Sequence, residues 1–431
     1  MKYNTDHLPD CHAPGVPESN NARLARLKAR RKLWLDVHLY LGLSAGFILA
    51  IVGLTGSILV FYQEMQEVVN PELALVSAPP EGVAAYRSLD EIIAAADSVR
   101  PEGSRIKNVY YPRHQEAAFK LLYYVQAPGQ SDHGDGYYIF VDPYTAHAQG
   151  MQLWHPKGRY WGRPLVSFIM QLHWCLLLGK NGGVIVGILA VLSIISVLTG
   201  LIVWWPLTGK FRQALTFKQH AGAVRFNFDL HKTVGFYSTI VLLAVLFSGV
   251  YFNLPAQVNT LVELFSPLER PNAWTGIDEA DYRSTVRHDG KPLDYAQIED
   301  SVHRHYPLGK LWKLNAPQHE QDVYKIWKKD VSEISPFIGY RELIVDQYSG
   351  EILKVYDSGS GSAGDILLDW QWPMHSGHAF GWPGRILVLL SGLACPVLFG
   401  TGVIRWLQKR KAKSHRGPLS KLRQGDKMLR R

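Results

Sequence analysis

Cysteine is nearly absent from this chain: Cys11, Cys175 and Cys395 are the three in 431 residues. So small a number excludes a disulfide framework, and Cys175 and Cys395 fall in or near apolar runs, as buried inert thiols do. There is no Cys-x-x-Cys-His, which excludes a covalently attached haem. His7, Cys11 and His12 place three potential ligands close to the start, but a fourth ligand and a fold around them are lacking, so residues 1–21 read as an unstructured tail. Acids are missing in a local sense. Residues 22–32, 207–225 and 408–431 hold twenty Lys and Arg against one acid, Asp426, whereas the long connections 63–162 and 256–374 hold another twenty basic residues over four times the length, mixed with most of the acids. The net charge of +9 is therefore sorted along the chain rather than gathered on one reading helix, which argues against nucleic acid as a partner.

The mean hydropathy of −0.06 hides four apolar runs, at 39–61, 184–205, 234–252 and 386–406, each long enough to cross a hydrocarbon layer ~30 Å thick. The membrane is thus a partner. Basic segments stay on the cytoplasmic side, and the first run is too long for a signal-peptide core and reads as an uncleaved anchor. The expected order is a cytoplasmic tail 1–31, a span 32–62, a periplasmic domain 63–163, a span 164–206, a cytoplasmic loop 207–225, a span 226–253, a second periplasmic domain 254–372, a span 373–407 and a cytoplasmic tail 408–431. That is a multi-pass protein of a bacterial inner membrane with both termini inside.

The spans carry a repeat. From His173 the chain counts six residues to Gly179, nine to Gly182, 26 to Thr199-Gly200 and 31 to Trp204; from His375 the same counts reach Gly381, Gly384, Thr401-Gly402 and Trp406. Asp36-Val37-His38 runs four residues to Gly42 and seventeen to Thr55-Gly56, and Asp229-Leu230-His231 runs four to Gly235 and seventeen to Ser248-Gly249. Four histidine-headed helices as a duplicated pair are expected. The outer segments follow suit. Leu89 to Val141-Asp142 and Leu293 to Val345-Asp346 both span 52 residues, with helix patterns at 89–99 and 293–302 and strand patterns at 109–111, 119–126, 137–142, 310–314, 323–328 and 342–347. Each outer domain reads as α+β.

An imidazole near an apolar span is costly against lipid, so it points into the bundle and has a partner. His38, Gly42 and Gly46 lie on one helix face and leave bare backbone for something flat to approach, such as a haem ring held by an axial imidazole. Topology pairs the ligands. His38 and His231 each begin a helix leaving the cytoplasm and share an inner level; His173 and His375 begin helices entering from outside and share an outer level. Each pair can grip one non-covalent haem, and filling both axial positions suits electron transfer better than oxygen chemistry. His378, three residues after His375, is the alternative ligand, although its repeat counterpart is Leu176. Counting ~1.5 Å per residue separates the levels by roughly 30 Å before tilt, so tilt, helix breaks near Gly182 and Pro383, or an aromatic relay have to shorten the path. Arg163 and Arg385 read equally as partners for haem propionates and as interface anchors. The Tyr110-Tyr111, Tyr123-Tyr124 and Tyr137-Tyr138 pairs read as strand packing more than as a chelate surface, and His303-x-His305 at a helix end forms no site.

Two closing turns, Val141-Asp142-Pro143-Tyr144-Thr145 and Val345-Asp346-Gln347-Tyr348-Ser349-Gly350, with the helix and strands before them, resemble PepSY domains. The histidine-headed spans resemble the PepSY-associated transmembrane helix family of bacteria, over about residues 30 to 407. The most specific features are Asp-x-His with Gly four residues on, and Leu172-His173 running to Thr-Gly-x-x-x-Trp. Met374 before His375 and Ser248-Gly249 in place of Thr-Gly depart from the pattern. The resemblance implies an inner-membrane ferric-siderophore reductase or another iron-regulated membrane protein. It implies two haems b, and electrons passing from a cytoplasmic reductase or quinol donor to a ferric siderophore or other Fe(III) chelate in the periplasm. No flavin or nicotinamide domain is appended, so both donors stay open. Two other classes remain: a haem-containing quinol-oxidising module feeding another complex, and a non-enzymatic periplasmic PepSY regulatory protein.

Overall fold

Apolar runs and alternating runs part company in space, the first building a helical bundle and the second a sheet. The chain is represented by a computed structural model that describes residues 20–125, 134–158, 163–206, 209–218, 222–270, 282–285, 290–332 and 339–428; His7, Cys11 and His12 lie outside these residues. In chain order the helices are α1 (Asn20–Leu59), α2 (Tyr62–Val69), α3 (Pro71–Ala74), α4 (Leu89–Asp97), α5 (Leu165–Cys175), α6 (Gly179–Trp204), α7 (Phe211–Leu215), α8 (Ala223–Asn253), α9 (Pro255–Glu263), α10 (Tyr295–His305), α11 (Ala363–Asp369), α12 (Gln371–Ser376) and α13 (Gly381–Met428). The strands are β1 (Ser104–Tyr110), β2 (Phe119–Val125), β3 (Gly136–Val141), β4 (Ala148–His155), β5 (Lys310–Asn315), β6 (Val323–Lys329), β7 (Arg341–Asp346) and β8 (Ile352–Asp357).

Four helices, α1, α6, α8 and α13, are long and apolar enough to cross a membrane, so this is a multi-span membrane protein. α1 starts at Asn20, inside the stretch expected to be an unstructured tail, because the Ala, Leu, Arg and Lys of 22–32 are all strong helix formers. The histidines do not head the long helices. His38 lies well inside α1, while His173 and His375 close the short helices α5 and α12. Between short and long helix the chain turns through left-handed residues: Leu176 (φ 52°), Leu177 (φ 64°) and Gly179 (φ 60°) in one place, Gly377 (φ 78°) and Gly381 (φ 58°) in the other. A Cβ at Gly182 would collide with the Cys175 carbonyl, and one at Gly384 with the Gly377 carbonyl. Glycine nine residues after each of these histidines thus lets the long helix pack directly on the short one.

The outer segments were expected as two domains and instead share one antiparallel sheet of eight strands, in the order β4-β3-β2-β1-β5-β6-β7-β8. The seam is short: Asn108 faces Asn315, Val109 faces Leu314 and Tyr110 faces Lys313. One core spans it. α4 and α10 lie side by side on one face, burying Ile92, Ile298 and Val302 against Val109, Leu121, Leu314 and Ile326. The opposite face is turned to the bundle, where Leu122, Tyr138, Phe140 and Trp154 pack on Val166 of α5 and on Tyr62 and Met65 of α2. β4 and β8, which the sequence pattern did not reveal, are the two edge strands; most of their residues are only half-buried, so alternation there is weak.

A single carboxylate ties the two helices across the seam. α4 opens with a capping box from Ser88 and Glu91, and α10 with one from Asp294 and Gln297. Asp90, in the first turn of α4, also accepts hydrogen bonds from the Tyr295 N–H (3.0 Å) and Ala296 N–H (2.9 Å) of α10. Asp90→Ala is therefore expected to remove about 1 kcal/mol from this contact, read by mass spectrometry as faster amide exchange in α10, with Asp90→Asn intermediate. Unchanged exchange would mean that the cap does not hold the two halves together.

Candidate functional site

The four histidines meet in two pairs. The His38 and His231 rings lie with centroids 6.1 Å apart, and the His173 and His375 rings 6.0 Å apart. All four are half-buried among helices. His378 lies beyond the αL residue Gly377, in the short turn His378–Phe380, and is exposed, so it is His375 that faces His173.

Each ring rests on a neighbouring helix in the same manner. His38 Nδ1 is 2.8 Å from the Ser196 carbonyl on α6, and His173 Nδ1 is 2.9 Å from the Val52 carbonyl on α1. His375 Nδ1 meets the Val245 carbonyl (3.1 Å) and the Ser248 hydroxyl (2.8 Å) on α8. His231 Nδ1 meets the Thr401 hydroxyl at 2.9 Å on α13, with a backbone hydrogen bond to Leu398. In every case the carbonyl belongs to the residue three before the Thr or Ser of a Thr-Gly or Ser-Gly pair. The hydroxyls of Thr55, Thr199, Ser248 and Thr401 donate to the carbonyl four residues back on their own helices, and so present a lone pair to any neighbour. The glycine that follows supplies flat backbone. A Cβ at Gly56 would lie 2.8 Å from the His173 ring and one at Gly200 2.9 Å from the His38 ring, while at Gly402 and Gly249 the imidazoles of His231 and His375 stand 3.6 and 3.9 Å away.

The chemistry follows from the acceptors. A carbonyl only accepts, so Nδ1 must carry the proton, and Nε2 is left with the lone pair that binds a metal. Holding Nδ1–H on a carbonyl also fixes the ring and raises its basicity as a ligand. Two imidazoles sharing one metal atom through nitrogens at about 2.0–2.1 Å put their ring centroids about 6 Å apart, which matches both pairs. No group of three or more His, Cys, Asp or Glu gathers among the described residues; a haem needs only two protein ligands, because the macrocycle supplies the rest. Gly42 opens onto empty space, as a flat group would need, whereas Gly46 is covered by the Phe399 ring at 3.2 Å. These residues fit a bis-imidazole haem at each level.

The two levels are closer than the roughly 30 Å counted from sequence. α1 carries His38 and, fourteen residues on, Val52, which holds His173; α8 carries His231 and, fourteen residues on, Val245, which holds His375. Fourteen helical residues rise about 21 Å. The difference arises because His173 and His375 hang below their long helices on α5 and α12. Sequence reasoning noted the Thr-Gly pairs as landmarks without seeing their purpose; their constant offset from the histidines was the signal. The Asp of Asp229-Leu230-His231 is a local anchor, accepting from Arg225 (2.9 Å), Lys232 (3.0 Å) and the Lys218 N–H (3.1 Å). Arg385 holds the Val60 carbonyl and Glu64 through one terminal nitrogen, each at 2.9 Å, and Arg163 reaches the Pro156 carbonyl. His303 and His305 lie at the end of α10, where His305 bonds back to the Ser301 carbonyl.

The profile of one family, described as the PepSY-associated TM region, matches residues 35–409. No curated protein matches the chain.

The seats predict an asymmetry. Gly56→Ala and Gly200→Ala push a methyl into an imidazole and should each cost about 1–3 kcal/mol, while Gly249→Ala and Gly402→Ala should be close to neutral, as thermal unfolding of the purified protein in detergent will report. Equal effects at all four glycines would refute the seating.

Proposed function

The chain belongs to the PepSY-associated TM region family, and on that premise we propose that it is a duplicated di-haem reductase of the bacterial inner membrane. It would pass single electrons from a cytoplasmic reductase or quinol donor to a periplasmic Fe(III) chelate such as a ferric siderophore. The observation that carries this reading is the shared seating: in two ring pairs, every imidazole rests its Nδ1 on an acceptor of a neighbouring helix, which assigns the proton to Nδ1 and leaves Nε2 the lone pair. One haem b between His38 and His231 and a second between His173 and His375 would supply a one-electron iron couple with both axial positions filled. The chain's own residues do the remainder. The carbonyl seats fix ring orientation and ligand strength. Reduction of the chelate adds one electron to Fe(III) and gives Fe(II), with no bond made at the protein. It releases iron because catecholate and hydroxamate oxygens hold Fe(III) far better than Fe(II).

Duplication is supported by the matching offsets and by the same order of helix and strands in each half. Orientation is supported by charge sorting, with the basic segments 22–32, 207–225 and 408–431 on the cytoplasmic side. A cytoplasm-only reporter fused after Arg410 should accordingly give signal and one after Ser358 should not; the reverse would end the scheme.

The purified protein is expected to carry two low-spin b haems per chain in a pyridine-haem assay. His173→Ala should remove only the outer haem and abolish chelate reduction while the inner haem still accepts electrons. His231→Ala should remove only the inner one, leaving an outer haem that dithionite added from outside reduces. Loss of both haems from either folded variant, or chelate reduction at the parental rate in His173→Ala, would sink the two-level reading.

A further inference from the structure

We propose that the bundle-facing side of the sheet is the docking site for the ferric chelate, and that it selects a polyanionic chelate of tris-catecholate type. This rests on the reductase reading and adds to it a place and a charge. Cross-strand register sets Phe140, Lys120, Tyr110, Lys313 and Trp327 side by side on this face, from β3 to β6. The ammonium groups lie on ring faces: Lys120 Nζ is 4.7 Å from the Tyr138 centroid and 5.2 Å from that of Tyr110, and Lys313 Nζ is 4.4 Å from that of Trp327. Lys120 also donates to the Tyr62 hydroxyl of α2 at 3.2 Å, which fixes the face as the one turned to the bundle. The next row runs from Asn108 through Asn315 and Lys325 to Ile344 and Lys354.

Aromatic faces stabilise an ammonium without cancelling its charge. Across these two rows Glu342, one of whose oxygens is buried without a hydrogen bond, is the single carboxylate, against the half-buried Lys120 and Lys313, the buried Lys325 and the exposed Lys354. Burial, with Lys325 and Lys107 adding to it, pushes Lys313 down to about 8, against the opposing pull of Glu342. Positive charge held at the half-buried Lys120 and Lys313 is unfavourable in the fold alone. An independent observation points the same way: the side-chain oxygens of Asn108 and Asn315, opposite one another at the seam, are buried and accept no hydrogen bond. Buried acceptors left unmet destabilise the fold until something donates to them. A ligand bearing anionic aromatic arms joined by amide N–H groups meets both needs. Three catecholates on Fe(III) leave a net charge of three minus, three hydroxamates leave none, and flat catechol rings suit a floor of Tyr and Trp.

The test uses the full-length purified protein and a gallium(III) tris-catecholate, which keeps the charge and shape of the ferric complex but is not reduced. Calorimetric titration should show one saturable site, weakened about tenfold or more by Lys313→Met or Lys120→Met and restored by Lys313→Arg, with a neutral gallium tris-hydroxamate binding at least about tenfold more weakly to the parent. Equal affinity for the two chelates, or unaltered catecholate binding in both methionine variants, overturns the site. A protein that binds the gallium complex as expected but never reduces ferric chelates overturns the reductase reading and leaves the site standing. One that reduces catecholate and hydroxamate chelates equally fast, with or without Lys313, does the opposite.

Discussion

The bundle depends on one contact made four times: an imidazole Nδ1–H lying on a carbonyl or hydroxyl of the next helix. In an apolar interior an unmet imidazole donor costs about 1–3 kcal/mol while the bond once made contributes only about 1, so the contact acts mainly as a constraint. It dictates which helices touch and at what height. α1 seats its histidine on α6 and receives that of α5; α8 seats its histidine on α13 and receives that of α12. The Thr-Gly and Ser-Gly pairs follow from that constraint, since the ring needs an acceptor and bare backbone within one helical turn.

The sheet takes its position from the same frame. α1 leads through α2 to the face bearing Leu122 and Tyr138, and α5 descends from that face to His173. On the other side of the bundle top, Arg385 of α13 reaches the Val60 carbonyl and Glu64, with its guanidinium 4.6 Å from the Phe61 ring and 4.8 Å from that of Trp382. The residue is only 8% exposed, so it serves as a bolt between the first and last spans, with its Nε–H left unmet. An electrostatic role suggested by position alone gives way to a packing role once its partners are known.

How much of this was legible in the sequence depended on whether the pattern was local. The four spans, the helix patterns before 97 and 305, and six of the strands follow from periodicity, and the histidine offsets follow from counting. The β1–β5 seam is different. It joins Asn108 to Asn315 across some two hundred residues, and no local period announces a partner at that range. The turn at Leu176 and Leu177 is hidden for another reason: leucine disfavours positive φ, so the break is imposed by docking α6 on α5 through Gly182, not by the residues that break. At the site, spacing revealed which residues recur, but only the geometry tells why Thr and Gly stand together, or that Phe399 and not a gap lies over Gly46.

Beside the outer histidine pair the first and last spans are drawn together. There, α1 and α13 approach through small residues: a Cβ at Gly53 would lie 2.7 Å from Cys395, one at Gly392 would strike the Ser57 hydroxyl, and Ser57 donates to the Leu389 carbonyl at 2.8 Å. Such close backbone contact is how helices associate in lipid without a hydrophobic drive. Gly53 and Ser57 flank the Val52 carbonyl and Gly56 that seat His173, so one short stretch of α1 both carries that ring and closes on α13.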